Sequence, residues 1–230
     1  MRALVTGSSS GIGAAIARRL LSDGWQVLGW DLAAATIVHA GFTAQAVDLC
    51  DGARIDALID ALFEQGAPHA FVHAAGVLRT ASLGELEPDD GEAMWRVHAQ
   101  AATRIANAVL PAMRAERRGR VVLIGSRVSH GMPGRSQYAA SKAALVALAR
   151  SWAAEVVVDG VTVNIVSPAA TDTPMLADPQ RAGSTPRLPP LGRLIQPDEV
   201  AALVAYLLSP EAAAITGQDI AICGGASLPR

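Results

Sequence analysis

The sequence predicts an α/β fold, a doubly wound parallel sheet of seven strands with helices on both faces, on three observations. Short apolar runs alternate with longer Ala- and Leu-rich stretches of helical period along the whole chain. The apolar runs are continuous, whereas a sheet with one wet face would alternate apolar and polar residues, so both faces of each strand are expected to be buried. A glycine-rich turn follows the first run and opens the first helical stretch, the placement at which parallel sheets bind anions.

The elements follow in order. RALVTG is the first strand and residues 11 to 23 the first helix; QVLGWDL and AQAVDL are the second and third strands, followed by a helix over 52 to 65. AFVHAAG is the fourth strand, and one long helix is expected over 89 to 115. RVVLIGS, a helix over 136 to 158, VTVNIVSP, a helix over 198 to 208, and DIAICGG complete the pattern. The stretch from 174 to 196 has no clear period and is rich in Pro and Gly; a loop of that length in a compact domain is usually a binding segment, and it is read as a substrate lid. The 230 residues are read as one domain, 1 to 230, with no fixed repeat and no low-complexity linker.

Composition narrows the function. A net charge of -2 leaves no basic field for a nucleic-acid backbone or an anionic membrane. No apolar run of about 18 residues is present, and the chain opens straight into its first strand, so a cytoplasmic protein is expected. Cys50 and Cys223 lack metal-ligand spacing and are read as two free buried thiols; no metal site is expected. Of the nineteen basic residues only Lys142 is a lysine. Codon bias toward arginine accounts for the other eighteen, so the surroundings of Lys142 must decide whether an ammonium is required there.

The loop Thr6-Gly7-Ser8-Ser9-Ser10-Gly11-Ile12-Gly13 joins strand to helix. Gly7 permits the turn, Gly11 lets the backbone approach a pyrophosphate, and Gly13 lets helix and strand pack closely, which is the logic of a Rossmann-type dinucleotide site. Asp31 ends the second strand, where a carboxylate accepts from ribose hydroxyls and repels a 2'-phosphate; no arginine or lysine stands in 31 to 38 or in the loop, which points to NAD. With TGSSSGIG, the chain also carries HAAG at 73 to 76, YAASK at 138 to 142, SPAATDTP at 167 to 174 and ITGQDIAICGG at 215 to 225. In these separated motifs it resembles the short-chain dehydrogenase/reductase family over nearly its whole length. The resemblance implies cofactor contacts at Ser9, Ser10 and Ile12 beside the three glycines, at Asp48 and Leu49 along the adenine edge, and at Ala74, Ala75 and Gly76 against the adenosine. It places Pro168, Thr171 and Thr173 at the nicotinamide carboxamide, with Ala169 where the family has glycine.

Tyr138 and Lys142 lie four apart in a helix and so share a face. A free phenol has a pKa of about 10, and a neighbouring ammonium lowers it by favouring phenolate, which suits a general acid/base. Ser126, at the carboxyl end of the fifth strand, can hold the substrate oxygen. The resemblance implies an asparagine where His98 stands, holding a water between the lysine and solvent. An imidazole there is expected either to hold that water or relay protons, making the rate pH-sensitive below neutrality, or to be a packed residue in a weakened enzyme.

The activity implied is hydride transfer between NAD(H) and a small secondary alcohol or its ketone. Two alternatives stay open: an NADPH-type 3-oxoacyl-thioester or carbonyl reductase, and a weakly catalytic NAD-binding sensor or scaffold. Arg79, Arg127 and His130 are candidates to favour a carboxylate or polyhydroxylated substrate, or are surface residues. The family implies a homodimer or homotetramer packed through the helices at 89 to 115 and 136 to 158.

Overall fold

The computed structural model describes residues 1–177 and 187–228. Seven parallel strands form one sheet in the order β3-β2-β1-β4-β5-β6-β7: β1 (Arg2–Thr6), β2 (Gln26–Asp31), β3 (Phe42–Ala46), β4 (Ala70–His73), β5 (Gly119–Ile124), β6 (Val161–Pro168) and β7 (Asp219–Ile222). The order reverses between β1 and β4, which opens a crevice at the carboxyl ends of the strands, the usual ligand site of such sheets. β1 and β6 are buried at every position, as expected for continuous apolar runs, while β3 is an exposed edge.

Helices α1 (Gly11–Ser22) and α6 (Pro197–Leu208) cover one face. Ile16 and Leu20 of α1 and Val200 and Val204 of α6 pack on Val5, Val72 and Val166 of the strands. Helices α2 (Gly52–Phe63), α4 (Ala101–Ala115) and α5 (Ser136–Val156) cover the other, where Ile55, Ile105, Met113 and Leu145 meet Leu4, Phe71, Val121 and Ile165. Each of these side chains contributes on the order of 1.5–3 kcal/mol on burial. A third, smaller cluster of Leu78, Met94, Val128, Tyr138 and Ala139 lies at the carboxyl ends of the strands.

Three expectations are corrected. The long helix over 89 to 115 is two helices, α3 (Pro88–Trp95) and α4, joined by a π turn at Arg96–Gln100 in which the Ala101 amide donates to the Arg96 carbonyl. One residue inserted in a turn leaves the apolar period nearly intact, so the pattern does not show it. β3 runs over Phe42–Ala46 rather than through AQAVDL, and Asp48 and Leu49 follow it, where the adenine-edge reading put them. Both cysteines are free, but each is half-buried.

The expected lid falls partly outside the described residues. Its flanks are anchored: Pro174–Ala177 forms a short 3-10 turn, and Ile195 bridges to Thr171. Leu191 donates from its amide to the Gly224 carbonyl at 3.0 Å. Among the described residues no helix is long and apolar enough to cross a membrane, and no group of His, Cys, Asp or Glu has the arrangement of a metal site.

Candidate active site

A cavity of about 720 Å³ opens at the carboxyl ends of the strands, over the point where the strand order reverses. One end of it is main chain. Gly7 has a φ of 70°, and a Cβ there would meet the Ala75 backbone at 2.7 Å. A Cβ on Gly13 would lie 2.0 Å from the Gly7 carbonyl oxygen, so only glycine lets α1 start this close to β1. The Thr6 hydroxyl accepts from the amides of Ala74 (3.2 Å) and Ala75 (3.3 Å), which ties β4 to the loop after β1.

Asp31 is drawn into the same wall. Its carboxylate accepts from the Ser9 amide at 2.8 Å and the Ala33 amide at 2.9 Å. Ser9 is buried and does not face the cavity; its hydroxyl donates to the Ala33 carbonyl (3.1 Å), while Thr36 donates to the Ser9 carbonyl (2.8 Å). Ser9 therefore clasps the acidic turn rather than lining the cavity. Ser10, Gly11, Ile12, Asp48, Leu49, Ala74, Ala75 and Gly76 all line it, as do Pro168, Thr171 and Thr173. Ala169, packed against the core beside β7, donates from its amide to the Ile222 carbonyl at 3.1 Å, so its methyl group is accommodated.

The other end is made of side chains. Ser126, Tyr138 and Lys142 line the cavity and are all buried. The Ser126 hydroxyl oxygen accepts from the Val128 amide at 3.2 Å, capping the 3-10 turn Arg127–His130, so its proton remains free to donate. Lys142 Nζ lies 5.9 Å from the centre of the Tyr138 ring and donates to the Ile124 carbonyl, at the end of β5, at 2.9 Å. Burial pulls the Lys142 ammonium down to about 7.

His98 does not line the cavity; it sits behind it, fully buried on the π turn, with its ring edge-on to Tyr138 at 5.6 Å. The Val77 amide donates to His98 Nε2 at 3.0 Å, so the ring proton is on Nδ1, which donates to Ser141 Oγ at 2.9 Å. Ser141 in turn donates to the Tyr138 carbonyl at 2.8 Å. Burial first, then the charge of Lys142, holds the imidazole well below its usual pKa. Both ring nitrogens are thus taken up by protein groups, and burial favours the neutral ring.

His73 repeats the arrangement one strand away. Its Nε2 donates to the Val97 carbonyl at 3.0 Å and its Nδ1 accepts from the Thr6 hydroxyl at 2.9 Å, and burial pushes its pKa down to about 3. Two neutral histidines thus hold the π turn between β4 and α5. Ser141, His73 and Thr6 were missed as site residues because their roles lie in contacts between distant segments; the one signal in the sequence was HAAG itself.

The comparisons with known proteins show the family. A family model described as enoyl-(acyl carrier protein) reductase matches residues 7–227. A solved structure titled short chain dehydrogenase/reductase family protein superposes with a TM-score of 0.88 at 33% identity, covering 98% of this chain and 96% of that one. The chain belongs to the short-chain dehydrogenase/reductase family. Among curated relatives, the 3-oxoacyl-(acyl-carrier-protein) reductase FabG of Escherichia coli is 36% identical, and that of Vibrio harveyi 37% identical, each over 97% of this chain and 96% of the relative. The protein of the same name from Thermotoga maritima is 30% identical over 96% of each chain. This short-chain dehydrogenase/reductase is therefore an oxidoreductase, and its polar residues converge where the family's fold leaves its crevice.

Two of the three expected substrate-side residues lie elsewhere. Arg79 pairs with Asp90 at 3.6 Å and does not line the cavity, and His130 is exposed outside it. Arg127 does line it, joined by Arg135 and Arg187, which the sequence reading did not single out.

Proposed function

We propose that this oxidoreductase transfers a hydride between NAD(H) and a secondary alcohol or its ketone, with Tyr138 as general acid/base. The observation that carries the reading is the meeting of Ser126, Tyr138 and Lys142 in the cavity that the glycine loop also walls. The residues fit a dinucleotide: Gly7 and Gly13 leave a cradle that a Cβ would fill, and the α1 amides open onto it. A nicotinamide bound there supplies the hydride acceptor or donor at its C4.

The chain's own residues do the remaining work. Ser126 Oγ, its lone pair held by the Val128 amide, donates to the substrate oxygen and fixes it beside Tyr138. In alcohol oxidation the Tyr138 phenolate takes the hydroxyl proton; in the reverse direction the phenol returns it. The protonated Lys142 favours the phenolate, and with a pKa near 7 it carries that charge below neutrality and gives it up above. The proton does not leave through His98, because the chain from His98 through Ser141 ends on a carbonyl, which has no proton to pass on.

Asp31 supports NAD over NADP, since a carboxylate fixed by two amides at the ribose end repels a 2'-phosphate. The names of the curated relatives favour a second reading of the substrate, reduction of a 3-oxoacyl thioester by the same groups. We place the outer faces of α4 and α5, beside half-exposed Trp95, in a homodimer or homotetramer interface.

Fluorescence titration with NADH and NADPH tests the cofactor: tighter binding of NADPH overturns the assignment to Asp31. Tyr138→Phe should lower kcat on secondary alcohols by about 10²- to 10⁴-fold with NADH binding retained; full turnover in that variant would remove Tyr138 from the chemistry.

A further inference from the structure

Charges of both signs line the cavity. The lining includes Asp31 and Asp48 at the end read as the ribose and adenine site, and Arg127 next to Ser126, Arg135 at the start of α5 and Arg187 among its cationic members. None of these three arginines has an ion pair or a side-chain hydrogen bond among the described residues, while eight other arginine-carboxylate pairs occur across the surface. Arg79, close by in sequence to the fourth strand, is by contrast matched to Asp90.

We infer that the substrate of this site is a hydroxy or oxo acid whose carboxylate is received by Arg127 and Arg135, with Arg187 adding charge from the far flank. This rests on the proposed hydride transfer at Ser126 and Tyr138 and names the class of alcohol involved. Three cations facing one cavity, none of them paired among the described residues, invite an anion, and a planar guanidinium matches a carboxylate with two parallel donors. The spacing separates a carboxylate from a distant phosphate. Arg127 follows Ser126 directly, about 3.8 Å away at Cα, and Arg135 is three residues before Tyr138 at the start of α5. Both residues also line the cavity that Ser126 and Tyr138 line, which suits an acid group a few bonds from the reacting carbon. Between them Val128 and Met132 supply apolar wall for a short carbon chain.

Two readouts test the inference. The first is oxidation of 3-hydroxybutanoate and 4-hydroxypentanoate against their methyl esters with saturating cofactor. The acids should show kcat/KM about 10- to 100-fold above the esters, mostly through KM. Arg127→Met and Arg135→Met should each bring the ratio toward one, and Arg127→Lys should restore part of it. The second readout needs no turnover: isothermal titration of the enzyme, loaded with oxidised cofactor, by 4-oxopentanoate and its methyl ester. Preference for the acid that Arg127→Met abolishes upholds the anion site even if no alcohol is oxidised, in which case the hydride-transfer reading fails alone. Equal or better binding of the ester overturns the inference whatever the turnover. Faster reduction of the uncharged thioester 3-oxobutanoyl-pantetheine than of any oxo acid, unaffected by Arg127→Met, also overturns it and favours the thioester reading.

Discussion

At the β1–β2 end of the cavity the wall is main chain: glycines without side chains, amides turned on Asp31, and a hydroxyl from Thr6 holding two more amides. At the β4–β5–α5 end it is buried side chains, Ser126, Tyr138 and Lys142, backed by His98 and Ser141. The first end tolerates little change in volume and holds Asp31 as a carboxylate between two amides. The second depends on which atoms carry protons; the two histidines in its backing stay neutral across the neutral range, while Lys142 changes charge near 7. Backbone donors at a helix start suit a phosphate anion, whereas buried side chains with displaced pKa values suit proton transfer.

Experiments that remove one group at a time separate the two ends. Lys142→Met should have the largest effect, a fall in kcat of about 10²- to 10⁴-fold, together with loss of the activity change near pH 7 that the lowered lysine pKa predicts. A pH-rate profile of both proteins checks it.

Next comes acid stability. His73 takes up a proton at about 3 in the fold and near 6.5 once unfolded, so its contribution is complete above 6.5 and is lost as pH falls toward 3. His98 is shifted in the same direction. Each should add a slope of up to about 1.4 kcal/mol per pH unit over its window, read from urea midpoints between pH 8 and pH 5. A flat dependence there would mean that both rings are charged in the fold.

Smaller effects distinguish volume from hydrogen bonding. Gly13→Ala should destabilise by about 1–3 kcal/mol and weaken NADH binding, since its methyl group falls on the Gly7 carbonyl. Ser141→Ala should cost about 1–3 kcal/mol by leaving His98 Nδ1–H without an acceptor, and its urea midpoint is the measurement. Arg79→Ala, which breaks a half-exposed pair outside the cavity, should change stability by no more than about 1 kcal/mol and leave the oxidation rate of alcohols as it is.

Much of the fold was legible because parallel strands buried on both faces must be continuously apolar, as β1 and β6 are. The pairing of Tyr138 with Lys142 was legible because four residues is one helical turn. The π turn was not, since an extra residue between Trp95 and Ala101 leaves the hydrophobic period almost unchanged. His98 shows the same limit: its type was visible, but its protonation depends on Val77, Ser141 and Lys142, which come from three other parts of the chain.

By itself, then, the sequence determined the order of strands and helices, the glycine loop and the residues that face one another along a single helix, because these depend on neighbours within a few positions. Only the tertiary structure decided that Ser9 clasps Asp31 instead of facing the cavity, that His98 stands behind Tyr138 as a neutral donor, and that Arg127 and Arg135, not Arg79 or His130, line the cavity. Proton positions and the meeting of charges are properties of a shared, dehydrated space, and that space exists only once the sheet has brought its loops together.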